Sequence, residues 1–70
     1  MDTEVLIGIL EEHLKQAELQ ATEIYKITLR RLIGRLKEGY YLNKEDELII
    51  ALESVGFTDY ARQIRAGLYV

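Results

Sequence analysis

The sequence predicts an all-α protein: one long N-terminal helix, then a short two-helix hairpin, assembled as a helical-bundle homodimer. Three observations lead there. The 70-residue chain contains no proline, and residues 3–38 are mostly Leu, Glu, Lys, Arg, Gln and Ala, interrupted only by Gly8 and Gly34; these are good helix formers. The apolar residues of that stretch recur at helical spacing. Two later segments, 44–54 and 58–66, carry the start and stop signals of short helices. The expectation is one helical domain over residues 1–70.

Composition narrows the class. Apolar residues make up 49% and charged residues 30% of the chain, a balance that fits a folded protein and not a disordered one. Cysteine is absent and His13 is the single histidine, so disulfides and Cys- or His-rich metal sites are not expected, nor is any cofactor. No apolar run approaches the ~18 residues of a membrane span. The acidic start, with Asp2 and Glu4, is unlike a signal or transit peptide. A cytoplasmic protein is the expectation.

Asp2 or Thr3 can cap the long helix. Leu6, Leu10, Leu14, Ala17, Ala21 and Ile24 form one stripe along it, and from Leu10 to Ile24 the spacing is 4, 3, 4, 3, a heptad seam with small residues at its middle. Beyond Ile24 the apolar set becomes Tyr25, Leu29, Leu32, Ile33 and Leu36, rotated by about 60° as in a stutter. Either the halves of one helix face different partners, or the helix breaks at residues 20–23. No Gly, Pro or Asn marks a break there, so the continuous helix is the expected form. At 1.5 Å per residue it would be roughly 54 Å long, against about 30 Å for the two short helices together. The Leu6–Ile24 stripe would then stand uncovered and serve as the self-association face.

Charge is sorted along the chain. Residues 1–23 carry a net −5, residues 24–37 a net +5 and residues 38–70 a net −3. An antiparallel dimer would set the acidic half of one copy beside the basic half of the other. The same order also complements a single helix's own dipole.

Gly39 is a natural C-terminal stop. Tyr40, Tyr41 and Leu42 form an aromatic and apolar connector. Asn43 reads as the N-cap of the second helix, with Glu45, Asp46 and Glu47 in its first turn and Leu48, Leu52 and Val55 facing inward. Gly56 ends that helix, Phe57 anchors the turn, and Thr58 caps a third helix whose Tyr60, Ala61, Ile64 and Leu68 share a face. Gly67 closes it. Leu68, Tyr69 and Val70 form an apolar tail expected to dock on the chain itself or on a partner.

Catalysis is not expected. His13 would need a nucleophile and an orienting carboxylate, and the chain has one serine, Ser54, and no cysteine. Glu11 and Glu12, like Glu45 to Glu47, read as solvated helix faces. The basic segment 26–37 is the best nucleic-acid or nucleotide candidate: Arg30, Arg31 and Arg35 could grip phosphate, and Tyr40 and Tyr41 could stack on a base. The second and third helices superficially suggest a helix-turn-helix, with Arg62, Gln63 and Arg65 as readers. An overall net charge of −3 works against that use. The acidity of the Leu6–Ala21 half likewise argues against a membrane surface. The favoured expectation is a dimeric regulator or inhibitor that occupies a partner protein's surface, by analogy a phage-encoded inhibitor of a host protein. Arg30, Arg31, Arg35, Tyr40 and Tyr41 are its candidate partner face.

Overall fold

Thr22 decides the architecture. In the structure, a computed structural model that describes residues 3–67, Thr22 has extended backbone (φ −69°, ψ 159°) and its Oγ1 accepts a 3.2 Å hydrogen bond from the Tyr25 amide. Glu23 follows in the first turn, where an acid suits the helix dipole. Just before, the Ala17 carbonyl accepts from the amides of both Gln20 (3.1 Å) and Ala21 (2.8 Å), which closes a turn. The chain therefore folds as four helices, α1 (Thr3–Ala17), α2 (Glu23–Lys37), α3 (Glu45–Ser54) and α4 (Thr58–Arg65). The single long helix expected over residues 3–38 is corrected to two. The rotation of the apolar stripe after Ile24 is a change of helix, not a stutter.

α2 runs back along α1. Lys37 Nζ lies 2.9 Å from Glu11 Oε2, and Arg30 Nη2 lies 2.7 Å from Glu18 Oε1. The acidic and basic segments thus pair within one chain, in the antiparallel arrangement that the sequence had suggested for two. The heptad stripe is turned inward over most of its length. Leu6 and Leu10 are fully buried, Ala17 is buried, and Leu14 is half-buried against the core. Ala21 lies partly exposed in the turn, and Ile24 is 79% exposed. The described body measures 34 × 23 × 18 Å, so no rod of ~54 Å is left uncovered. The geometric ground for a second copy on that stripe is gone.

α2 ends as expected at Gly39 (φ +76°), where the Gly39 amide donates to the Leu36 carbonyl (3.2 Å) and the Tyr40 amide to that of Arg35 (2.9 Å), a Schellman motif. The same motif closes α3. Gly56 (φ +86°) donates to Glu53 (3.1 Å), and Phe57 to Leu52 (2.9 Å). Asn43 is not the N-cap of α3. It holds a left-handed turn conformation (φ 62°), and Lys44 occupies the cap position without a side-chain bond. Asparagine tolerates that backbone better than other residues with a side chain. Likewise Phe57 holds the cap position of α4 and Thr58 is its first helical residue.

The core joins both hairpins. Leu6 and Leu10 of α1 pack with Leu29, Leu32, Ile33 and Leu36 of α2, with Tyr41 of the connector, and with Leu48, Ile49, Leu52, Val55, Ala61 and Ile64. Ile50 escapes it, 66% exposed on the outer side of α3. The expected Asp2 cap and the apolar tail from Leu68 to Val70 lie outside the described residues.

Candidate functional site

An aromatic junction ties the two hairpins together. The Tyr25 hydroxyl, on α2, donates to the Val55 carbonyl in the α3–α4 turn at 2.8 Å. His13 Nε2, on α1, lies 2.6 Å from the same hydroxyl. A phenol has one proton, and Val55 takes it, so His13 carries its proton on Nε2 and is the donor. The His13 ring also meets Phe57 edge-on at 5.0 Å, and Phe57 contacts Tyr60 at 6.0 Å. Burial raises the Tyr25 phenol above its ordinary pKa. His13 is thus a bridging side chain, with no serine or cysteine in its hydrogen-bonded set.

Beside this junction runs a shallow apolar cleft along the outer side of α1. One part, about 500 Å³, is lined by Val5, Gly8, Ile9, Glu12, His13, Gln16 and Phe57. The other, also about 500 Å³, continues from His13 and Gln16 past Ala17 and Gln20 to Ala21, Thr22 and Tyr25. Gly8 sits in mid-helix, where glycine costs about 1 kcal/mol against alanine. A Cβ there would meet no atom within 4 Å, so nothing in the chain's own packing demands it; the glycine leaves a gap in the cleft wall. Glu12 is exposed and has no ion-pair partner among the described residues. The heptad reading passed over this side of α1. Its signal was legible: residues 5, 8, 9, 12 and 16 fall on one side at 100° per residue.

The six heptad residues are not brought together on an outer face, and the basic segment is largely engaged. Lys26 is buried, 2.8 Å from Glu23 and 3.9 Å from Glu18; that partner holds the Glu23 carboxyl below its ordinary pKa. Arg30 and Lys37 pair with Glu18 and Glu11. Arg35 lies 4.7 Å over the Tyr40 ring, whose other contacts are Lys44 at 4.0 Å and an edge-on Tyr41 at 5.0 Å. The Tyr40 hydroxyl donates to Glu47 at 3.1 Å. Tyr41 is buried and so presents no face to a base. Only Arg31, of the five partner-face candidates, is exposed without a charged or aromatic partner among the described residues. Among the described residues no three His, Asp or Glu side chains converge as a metal site, and no helix is long and apolar enough to cross a membrane.

No family model matches the chain, and no curated protein or solved structure matches it either.

Proposed function

We propose that this chain is a non-catalytic protein-interaction module, a regulator that holds an amphipathic helix of another protein in the α1 cleft and acts by occupying it. The cleft itself carries this reading. Val5, Gly8, Ile9 and Phe57 make an apolar floor with a glycine gap, bordered by Glu12 and Gln16. From Val5 to Ala17 the cleft follows about 18 Å of helix, roughly three turns, and continues past the turn to Ala21. That suits the helix-in-groove mode, in which apolar side chains at i, i+3 or i+4 and i+7 are the anchors. The partner helix carries a Lys or Arg where it passes Glu12, which has no cation beside it among the described residues. A preformed cleft of this kind requires no ordering of the chain on binding, which favours affinity. The absence of catalysis is argued from the side chains: Ser54 donates its hydroxyl to the Ala51 carbonyl at 2.6 Å, and His13 is committed to Tyr25. The module is a homodimer in this reading, joined through a surface other than the heptad stripe.

The test places a photo-cross-linking residue at Ile9 and expresses the chain in its native cell. It should capture a protein through a basic amphipathic helix, and Glu12→Lys should reduce the yield about tenfold, the ratio expected for ~1.4 kcal/mol. No capture, or capture unchanged by Glu12→Lys, overturns the reading.

A further inference from the structure

The chain's own structure does not require a glycine at position 8. Gly8 lies exposed in the middle of α1, where glycine is less favourable than alanine. Its backbone has none of the positive φ that Gly39 and Gly56 need, and a Cβ would meet no atom within 4 Å. What the glycine provides is room. The recess of about 500 Å³ that it shares with Val5, Ile9 and Glu12 is also lined by Phe57 and His13. Those two rings stand edge to face, 86° apart at 5.0 Å. Both are half-buried and held in place, His13 by the Tyr25 hydroxyl at 2.6 Å and Phe57 by the Tyr60 ring at 6.0 Å.

A space with fixed aromatic walls and a missing side chain suits an aromatic ring. Such a ring buries a large area, loses only two torsions on binding, and can extend the edge-to-face set of Phe57 and His13. Glu12 then fixes where that ring stands in the partner's sequence. It follows Gly8 by one turn on the same side of α1, about 6 Å along the axis and about 40° around it. A helix lying along α1 that fills the gap with one residue meets Glu12 with a residue three or four positions away. We infer that Gly8 is the specificity-determining residue of the cleft: it admits an aromatic anchor of the bound helix, with a Lys or Arg three or four positions from that anchor, in either chain direction, at Glu12. The inference rests on the helix-binding reading above and adds what the bound helix must carry.

A displayed library of randomised helical peptides, panned on the full chain, tests it. Peptides held in the cleft are those that lose binding to the Glu12→Lys chain, and their sequences should carry an aromatic residue three or four positions from a Lys or Arg. One such peptide, fluorescein-labelled, is titrated by anisotropy against the Gly8 variants. Gly8→Ala should raise the thermal midpoint by about 4–8 °C, and Gly8→Leu should leave it no lower than wild type. Gly8→Leu should nonetheless weaken the peptide about tenfold or more, because leucine occupies the gap. Replacing the peptide's aromatic residue by alanine should weaken binding to wild type, and on Gly8→Leu the order of the two peptides should reverse. Cleft peptides without the aromatic–cation spacing, equal affinity for wild type and Gly8→Leu, or no reversal overturns the inference while the helix-binding reading stands. A library that yields no peptide sensitive to Glu12→Lys overturns both.

Discussion

Tyr25→Phe removes one oxygen and two hydrogen bonds, and its cost can be worked from the junction. The Tyr25 hydroxyl donates to Val55 at 2.8 Å and accepts from His13 at 2.6 Å. Val55 is 2% exposed, so its carbonyl loses this donor in a place with little access to water. A buried polar group left unsatisfied costs about 1–3 kcal/mol. His13 is only half-buried and its Nε2–H can find water, so that bond contributes at the lower end, roughly 0.5 kcal/mol. The phenyl ring keeps its packing. The sum is about 2 kcal/mol, which for a domain of this size lowers the thermal midpoint by about 8–16 °C. Urea unfolding followed by circular dichroism measures it, with His13→Gln and the double variant completing a cycle. The two changes should be non-additive, because both act on one hydroxyl. A Tyr25→Phe chain within ~0.3 kcal/mol of wild type would refute the view that this junction ties the hairpins together.

Three further outcomes follow from the packing. Leu10→Ala should destabilise the fold by about 2–5 kcal/mol, equally at all protein concentrations, because Leu10 is covered by its own chain; a midpoint shift that vanishes on dilution would return it to an interface. Thr22→Ala removes the α2 cap and should cost about 1 kcal/mol in urea unfolding. Alkaline pH should weaken the fold through Tyr25: its phenol is raised above the ordinary 10.0 by burial, so its contribution is complete below that value and is lost as pH climbs through the folded one. The wild-type minus Tyr25→Phe stability difference should therefore shrink above pH 10, and a difference that grows there would contradict the assignment.

Much of this fold was legible in the chain. Gly39 and Gly56 ended helices where glycine was expected to, and Leu48, Leu52, Val55, Ala61 and Ile64 face inward as their spacing required. The break between α1 and α2, one of two readings open at residues 20–23, ranked second because stop signals were sought. The α1–α2 turn contains no Gly, Pro or Asn; it is marked by a start signal, Thr22 followed by Glu23. A 4, 3, 4, 3 spacing running through Ala17 and Ala21 then looked like one continuous seam, although Ala21 already belongs to the turn. The charge pattern was read correctly as antiparallel pairing but was assigned to two chains, since a segment of +5 beside one of −5 does not say whether a turn joins them. The α1 cleft went unseen because Phe57 and Tyr25, which wall it, reach it from distant parts of the chain.

All of this depends on residues 3–38 folding back on themselves. Nitroxide labels on a Glu11→Cys/Lys37→Cys chain, diluted with unlabelled protein and read by pulsed electron resonance, measure that fold-back. In the hairpin the two native side chains touch at 2.9 Å, so the labels should report a single short separation, below ~20 Å. On one continuous helix the same positions would stand about 39 Å apart, and a distance near that value would contradict the account.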